Sequence, residues 1–331
     1  MTTRATPDVS VSIVLFDSSA CIPDLIAALR AQTGVPFETF VVDNASRDAD
    51  VARRQLADAQ LGDVTWNAEN VGYGRAHNQN LARFRGRYVV LLNPDVRFGP
   101  DLLAHLVRFM DAHLDVAIAG PRVLEGVTRR EFQPRRFYPG EGMVPLEPDL
   151  DRTEIGWLNG CCLIVRRSVL QALGGFDPDY FLYAEETDLC LRARRTGHRI
   201  GWCPNAEAHH LHLQSQLRSD ADERSRRLFR GVATFWAKHY RPADVRRMAW
   251  FQLWTCRVLL VGRPLLAALG RRWSVLAPER VRARRDVCRE LMATNGMRPT
   301  SLADLPVRIA LRQLALLRRW LVHRHLPLDD Y

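Results

Sequence analysis

The chain has 331 residues, 47% of them hydrophobic, which is enough for one large domain or two and excludes a wholly disordered protein. The formal charge of +10 is uneven: residues 1–217 carry 23 basic and 27 acidic side chains, whereas residues 218–331 carry 24 and 10. This asymmetry predicts that the C-terminal part contacts an anionic surface, either membrane or nucleic acid; a solvated basic face is the alternative.

The first third of the chain alternates between strand and helix patterns. Strands are predicted at residues 9–16, 37–42, 64–66, 87–92 and 116–119, with helices at 23–32, 73–84 and 100–113. Such alternation is typical of βαβ units and a mostly parallel sheet, in which ligands bind at the carboxyl ends of strands. Asp43 and Asp95 follow two of these strands and are therefore candidate ligand contacts.

The middle of the chain, residues 121–156, is rich in Pro, Gly and Arg and predicts a long loop with a weak hairpin at 129–137. A strand at 157–165, helices at 168–173 and 185–196, and a short strand at 200–203 complete an α/β domain over residues 1–216. Residues 217–331 predict a basic, Arg- and Trp-rich helical region.

Three features bear on the compartment. Seven Cys without a regular spacing favour free thiols in a reducing cytosol, and the N-terminal residues lack the apolar core of a signal peptide. Residues 249–269 are the most apolar long stretch, but Arg257, Arg263 and Pro264 interrupt it. This stretch therefore predicts a helix that lies on a surface rather than a membrane span.

Two of the acids suit a nucleotide sugar. Asp43, in V-V-D-N-A-S, would accept a hydrogen bond from the imide N–H of uracil or thymine, unless it is a helix cap. Asp95, in L-L-N-P-D-V, would supply an oxygen ligand to the Mg²⁺ or Mn²⁺ that a diphosphate requires, with Asn93 as a weaker candidate. The alternative for Asp95 is an ordinary Asn-Pro-Asp turn.

An acidic cluster begins the predicted helix at 185–196. Glu185, Glu186 and Asp188 are favoured there by the helix dipole, so capping alone would account for them. Crowded carboxylates also raise one another's pKa, which suits a general base near neutral pH. Both interpretations stay open at this point.

A histidine cluster and a glycine loop complete the candidate site. His209, His210 and His212 lie within four residues and are candidate metal ligands, unless they are surface histidines. Gly72 and Gly74, in N-V-G-Y-G-R-A-H-N-Q-N, indicate a loop whose backbone approaches a ligand closely.

The order of these motifs resembles glycosyltransferase family 2, which has the GT-A nucleotide-diphospho-sugar transferase fold, and within it the bacterial rhamnosyltransferase-like enzymes. The resemblance covers roughly residues 9–216. It rests on S-I-V-L-F, V-V-D-N-A-S, N-V-G-Y-G-R-A-H-N-Q-N, L-L-N-P-D-V, W-L-N-G-C-C-L-I-V-R-R and, most specifically, G-G-F-D-P-D-Y-F-L-Y-A-E-E-T-D-L-C-L-R. It implies an α/β fold with a mixed, Rossmann-like sheet flanked by helices, followed by the helical C-terminal region.

The resemblance also implies roles for the donor loop. Asp43 would contact the nucleotide base, and the neighbouring amides and glycine would bind the rest of the nucleotide. The residues assigned to this group are Asp43, Asn44, Asn70, Gly72 and Asn78.

For the metal and the base, the resemblance implies that Asp95 and His210 hold Mg²⁺ or Mn²⁺. His210 stands six residues after a Pro, a spacing that the family uses, although the glycines that usually follow are replaced. The family's E-D-x-D is E-E-T-D here. Glu186 therefore stands at the position of the base, with Glu185 and Asp188 as alternatives.

The implied function is metal-dependent, inverting transfer of a sugar, rhamnose favoured, from a dTDP- or UDP-linked donor to a hydroxyl of a cell-surface glycan or lipid-linked acceptor. The absence of Q-x-x-R-W after the acidic motif favours a single addition per encounter. The alternatives are a transferase for galactose, glucose or N-acetylglucosamine, and an inactive protein that binds nucleic acid or membrane. Arg residues interleaved with apolar runs favour peripheral binding at the inner face of the cytoplasmic membrane over nucleic acid.

Overall fold

The computed structural model describes residues 6–146, 150–211, 221–268 and 278–294. The chain divides into two compact units, one of Met1–Arg136 and Asp151–Arg218, the other of Phe137–Leu150 and Ser219–Tyr331. Part of the predicted long loop, residues 137–150, therefore belongs with the C-terminal helices. The boundary expected between residues 216 and 217 lies outside the described residues.

The first unit is built on one mixed sheet. Its strands are β1 (Val9–Leu15), β2 (Phe37–Asp43), β3 (Asp63–Trp66), β4 (Tyr88–Leu92), β5 (Val96–Phe98), β6 (Val116–Glu125), β7 (Arg130–Glu131), β8 (Cys162–Arg166) and β9 (Arg199–His210). They lie in the order β3-β2-β1-β4-β8-β6-β9-β5, with β7 beside β6. The first four strands of that order pair in parallel, whereas β8 is antiparallel to both β4 and β6. The sheet is thus mixed rather than mostly parallel.

Helices cover both faces of this sheet. They are α1 (Ile22–Arg30), α2 (Ala49–Ala59), α3 (Tyr73–Asn78), α4 (Leu102–Ala112), α5 (Arg167–Ala172) and α6 (Glu185–Arg195). Side chains alternate along β1, so that Val11 and Ile13 join the core formed with α1 and α4. Val14 packs with Ala76 of α3 on the other face. The strand is buried throughout, including Ser10 and Ser12, because both of its faces are covered.

Several elements differ from the sequence prediction. Strand β5 was not predicted, β6 runs to Glu125 rather than to residue 119, and β8 begins at Cys162 rather than at residue 157. Helix α2 was not predicted, and α3 ends at Asn78 rather than at residue 84. Strand β9 continues from Arg199 to His210 instead of stopping at residue 203. The extension follows from long-range pairing, because β9 lies between β6 and β5 and hydrogen-bonds to both.

The described part of the second unit consists of α7 (Ala221–His239), α8 (Pro242–Ala268) and α9 (Pro278–Thr294), together with residues 137–146 and 150 of the loop. The ring of Tyr138 stacks on Phe235 at a centroid distance of 6.0 Å. The Tyr240 hydroxyl donates a hydrogen bond to the Pro139 carbonyl at 2.9 Å. These contacts hold the loop to the helices. Within the described ranges, no helix has both the length and the apolar character that crossing a bilayer requires.

Candidate active site

Asp43 is the last residue of β2 and is almost completely buried, with 1% of its surface exposed. Its Oδ1 accepts a hydrogen bond from the backbone N–H of Ser46 at 3.0 Å. Its Oδ2 has no hydrogen-bond partner among the described residues. A buried carboxylate oxygen without a donor is costly, so this atom is suited to receive an N–H from a ligand.

Asn44 organises the loop beside Asp43. Its Nδ2 donates to Asn70 Oδ1 at 2.8 Å and to the Gly72 carbonyl at 3.2 Å, and its Oδ1 accepts the Val71 N–H at 3.0 Å. Gly72 has a φ of +91°, and a Cβ there would lie 2.5 Å from the Phe181 carbonyl oxygen. The loop therefore requires glycine at this position and brings Asn44, Asn70 and Gly72 together.

Asn78 is engaged differently from the other predicted nucleotide contacts. Its Nδ2 donates to the Phe176 carbonyl at 2.7 Å, and its Oδ1 accepts the Phe176 N–H at 2.9 Å. The side chain thus joins the end of α3 to the segment that leads to α6. Its contact with the nucleotide stays a prediction.

The two predicted metal ligands lie side by side although they are far apart in the chain. Val96 pairs with His210 between β5 and β9, and the Leu211 N–H donates to the Asp95 carbonyl at 3.0 Å. These bonds place Asp95 Oδ1 3.3 Å from His210 Nε2. Asn93 Nδ2, the weaker candidate, lies 3.4 Å from the same nitrogen.

The donor set fits a divalent cation. Neighbouring ligands of an octahedral Mg²⁺ lie about 3 Å apart, since each bond is about 2.1 Å long, and the Asp95–His210 separation is close to this value. No group of three His, Cys, Asp or Glu side chains suitable for a metal occurs among the described residues, so diphosphate and water oxygens would complete the shell. His209 turns away, its Nε2 lying 2.8 Å from the Gly126 carbonyl, and His212 lies outside the described residues.

The acidic motif forms the first turn of α6. Glu185 and Glu186 are buried, with 4% and 8% of their surfaces exposed. They follow Tyr183 and Ala184, which have φ values of +72° and +69°. Two consecutive residues with side chains in the left-handed region are strained, and such strain is concentrated at functional sites.

Burial raises the pKa of both glutamates above the ordinary value for this side chain. It raises the pKa of Glu186 to about 7. Burial, and then the charge of Glu186, raises the pKa of Glu185 well above its usual range. Glu185 Oε2 also has no hydrogen-bond partner among the described residues. A carboxylate with a pKa near neutrality is suited to general-base catalysis, which supports the functional interpretation of this motif over helix capping alone.

Asp188 has a different environment from the two glutamates. Its Oδ2 accepts a hydrogen bond from Arg192 Nε at 2.7 Å. The same guanidinium donates to the carbonyls of Leu173 and Gly175 at 3.0 and 2.9 Å. This ion pair ties α6 to the turn after α5, which favours a structural role for Asp188.

Gly160 and Tyr73 also frame the acidic pair, although the sequence interpretation assigned them no role. A Cβ on Gly160 would lie 3.2 Å from Cβ and Cγ of Glu186, so glycine leaves the space that Glu186 occupies. The Tyr73 hydroxyl donates to the Gly160 carbonyl at 3.2 Å. The only sequence signal was a glycine inside the predicted strand at 157–165, which often marks a close approach.

Comparison with known proteins gives matches along the same region. The family model described as Glycosyl transferase family 2 matches residues 10–174. N-acetylglucosaminyl-diphospho-decaprenol L-rhamnosyltransferase of Mycobacterium tuberculosis is 28% identical over 252 residues, which cover 64% of this chain and 78% of that protein. Rhamnosyltransferase WbbL of Escherichia coli is 28% identical over 160 residues, 42% of this chain and 61% of that protein.

Solved structures show the same fold. The mannosyltransferase PcManGT from Pyrobaculum calidifontis, in complex with GDP-Man and Mn²⁺, aligns with a TM-score of 0.52 at 18% identity, covering 97% of this chain and 82% of that one. S. aureus TarS aligns with a TM-score of 0.52 at 18% identity, covering 87% and 53%. The chain belongs to glycosyltransferase family 2, has the GT-A fold, and is similar to bacterial rhamnosyltransferases.

Proposed function

We propose that this protein is a metal-dependent inverting glycosyltransferase that moves a sugar from a nucleoside-diphosphate donor to an acceptor hydroxyl. The observation that carries the proposal is the pairing of Asp95 Oδ1 with His210 Nε2 at 3.3 Å. In the same sheet, Asp43 is the last residue of β2, and its Oδ2 has no hydrogen-bond partner in the part of the chain that the structure describes. A base-recognition group and a diphosphate-binding pair on one sheet are what a nucleotide-sugar donor requires.

On the donor side, Asp43 Oδ2 would accept the imide N–H of uracil or thymine. Asn44, Asn70 and Gly72 form a hydrogen-bonded loop beside it, with little freedom to lose when the nucleotide binds. Both dTDP and UDP donors carry the imide group, so this recognition selects pyrimidine diketo bases rather than one nucleotide.

For the diphosphate, Asp95 and His210 would hold Mg²⁺ or Mn²⁺, which supplies positive charge for the leaving group. The Mn²⁺ bound by the structurally similar mannosyltransferase supports this assignment. A carboxylate and an imidazole leave several coordination positions for phosphate oxygens, which is the usual arrangement for Mg²⁺ at nucleotides.

The chemical step is a direct displacement. The Glu186 carboxylate accepts the proton of the acceptor hydroxyl as that oxygen attacks the anomeric carbon from the face opposite the nucleotide. The bond from the anomeric carbon to the diphosphate oxygen breaks, and both of its electrons leave with the nucleoside diphosphate. The new glycosidic bond has the inverted configuration, and the Glu186 carboxyl returns its proton to solvent. Glu185 and Asp188 are the alternative bases.

Rhamnose is the favoured sugar because two relatives are named as rhamnosyltransferases. The name of the mycobacterial relative specifies an N-acetylglucosaminyl-diphospho-decaprenol acceptor. We therefore favour a lipid-linked or oligosaccharide acceptor, met at the inner face of the cytoplasmic membrane, and no nucleic-acid partner.

A donor panel tests the proposal. The protein is incubated with Mg²⁺ or Mn²⁺ and with dTDP-rhamnose, UDP-glucose, UDP-galactose, UDP-N-acetylglucosamine or GDP-mannose, and release of nucleoside diphosphate is measured with and without a lipid-diphosphate-sugar acceptor. We expect turnover with dTDP-rhamnose, and an inverted anomeric linkage by NMR. Turnover with a UDP-hexose instead would assign a different sugar and leave the proposed reaction in place. Failure of every donor in the panel to release nucleoside diphosphate would refute the proposal.

A further inference from the structure

Helix α8 (Pro242–Ala268) has two different faces over its described side chains. One face is buried in the second unit, where α8 packs against α9 and Gln252 Oε1 accepts a hydrogen bond from Arg284 at 3.3 Å. The fully buried residues are Val245, Met248, Ala249, Phe251 and Cys256. The side chain of Phe251 is only 4% exposed, so this ring belongs to the buried side. The helix already has a core-facing side.

The opposite face carries only cationic and apolar groups, most of them exposed, with Trp250 and Leu253 half-buried. Its positions recur three or four residues apart, which places them on one side of an α-helix. The residues on this face are Ala243, Arg246, Arg247, Trp250, Leu253, Trp254 and Arg257. The single acidic side chain between residues 242 and 257, Asp244, lies off this face, half-buried, and pairs with Arg247 at 3.1 Å.

Tryptophan is the unusual component of this face. The side chain of Trp254 is 37% exposed, and Trp250 is half-buried one turn earlier. Two indole rings are flanked by Arg246 on one side along the axis and by Arg257 on the other. A merely solvated basic face has no need of exposed indoles, whereas an aromatic ring among cations is typical of the boundary between lipid headgroups and acyl chains.

We propose that this face of α8, comprising Arg246, Arg247, Trp250, Leu253, Trp254 and Arg257, docks on an anionic lipid bilayer. The guanidinium groups pair with lipid phosphates while the indole rings enter the interface. Charge complementarity supports this partner, because residues 218–331 carry 24 basic and 10 acidic side chains. The helix lies along the surface, and docking requires neither the donor nor the metal.

The test compares the full-length protein with two variants in vesicle co-sedimentation, with phosphatidylcholine alone and with added phosphatidylglycerol. The docking variant is Arg246→Glu/Arg257→Glu. The control is Arg230→Glu/Arg289→Glu, which changes the net charge equally at exposed positions of α7 and α9. Each basic residue near an anionic surface contributes about a fivefold gain in partitioning, so loss of two lowers the partition coefficient at least about 30-fold. The control changes it less than about threefold.

Salt concentration and the Trp254→Ser variant separate the contribution of the Arg charges to membrane binding from that of the indole rings. Binding of the unmodified protein weakens as salt rises, because screening shortens the reach of the Arg charges. Trp254→Ser lowers the partition coefficient at every salt concentration, since the contribution of the indole is not screened. Circular dichroism confirms that each variant is folded, and turnover with a water-soluble acceptor stays unchanged in the docking variant, which distinguishes docking from the proposed reaction.

Several outcomes would overturn the assignment. The first is equal loss of binding in the docking and control variants, which would indicate net charge rather than this face. The second is a protein that stays in the supernatant with every vesicle. A dimer that Arg246→Glu/Arg257→Glu converts to monomer, without lipid binding, would assign the face to a second copy. Retention on duplex DNA but not on vesicles, abolished by the same variant, would assign it to nucleic acid.

Discussion

The loop around Asn44 and the acidic pair Glu185 and Glu186, both in the first unit, differ in how their buried polar groups are paired. Around Asn44, the amide atoms are paired with Asn70, Val71 and Gly72 at ordinary hydrogen-bond distances. At the start of α6, Glu185 and Glu186 are buried with raised pKa values and follow a strained backbone. Among the described residues, the amide groups around Asn44 are hydrogen-bonded before a ligand binds, although Asp43 Oδ2 beside them is not, whereas the burial of Glu185 and Glu186 carries an electrostatic cost.

We expect this difference to separate nucleotide binding from the chemical step. A hydrogen-bonded loop is preorganised and loses little freedom when the nucleotide binds. A buried carboxylate with a pKa near 7 is a stronger base than an ordinary glutamate, and its burial is unfavourable for stability. Substitutions in the first region should therefore impair donor affinity, whereas neutralising the second should impair turnover and stabilise the fold.

The largest expected effect comes from Glu186→Gln, which keeps the shape of the side chain but cannot accept a proton. We expect kcat to fall about 10²–10⁴-fold while the donor binds almost normally. Turnover is measured in steady state and donor affinity by calorimetry. Glu69→Gln, at an exposed position, is the matched control.

Asp188→Asn discriminates between the candidate bases. Because Asp188 pairs with Arg192 in a buried position, its substitution should lower the melting temperature. Any loss of turnover should then be caused by unfolding of the protein. If a folded Asp188→Asn protein loses turnover by the larger factor and Glu186→Gln does not, the two roles are exchanged.

Metal removal is expected to have the next largest effect. In excess chelator kcat should fall by about 100-fold or more, and Mg²⁺ or Mn²⁺ should restore it. His210→Ala should require a higher metal concentration for the same rate, because one ligand is lost. His209→Ala is the control, since His209 faces the Gly126 carbonyl instead. Full turnover in chelator would contradict the assignment of Asp95 and His210.

Asp43→Asn tests the donor side. The Oδ1 of the new Asn side chain can still accept the hydrogen bond from the Ser46 N–H. The NH2 group that replaces Oδ2 is a donor, so it cannot accept a hydrogen bond from a ligand N–H. Loss of a hydrogen bond to a charged group predicts a donor KM about 10–100-fold higher, with kcat nearly unchanged. Binding of the nucleoside diphosphate alone, measured by calorimetry, should weaken equally. Asp50→Asn, exposed on α2, should change neither value.

The smallest effect, but the most direct test of the comparison, is the pH dependence of stability. Burial raises the pKa of Glu186 from 4.5 to about 7, so the folded protein binds more protons than the unfolded chain between these values. The contribution of Glu186 to the free energy of unfolding is therefore largest below pH 4.5 and is lost as the pH rises through 7. Glu186→Gln should raise the melting temperature at pH 8 by roughly 2–8 °C. This increase in melting temperature should disappear near pH 4. A Glu186→Gln variant that melts at a lower temperature than the unmodified protein at pH 8 would contradict the claim that the buried Glu186 carboxylate destabilises the fold.

Local patterns predicted much of the fold. The apolar runs that become β1, β2 and β4 were predicted within about two residues, because buried parallel strands are nearly continuous hydrophobic segments. Helix α2 was missed because its pattern is mostly polar, with only Ala52 and Leu56 buried. A helix with so narrow an apolar stripe gives a weak periodic signal.

The order of the motifs along the chain indicated the class of chemistry without any structure, through the resemblance to glycosyltransferase family 2. Taken one by one, Asp43, Asp95 and the E-E-T-D motif left capping and turn roles open, and only their order indicated a nucleotide-sugar site. Only the tertiary structure showed how these groups are arranged. Asp95 meets His210 through the pairing of β5 with β9, and Glu186 differs from Asp188 because Arg192 pairs with only one of them. Strand pairing and burial depend on residues distant in sequence, and burial with its neighbouring charges decides which carboxylate can act as a base.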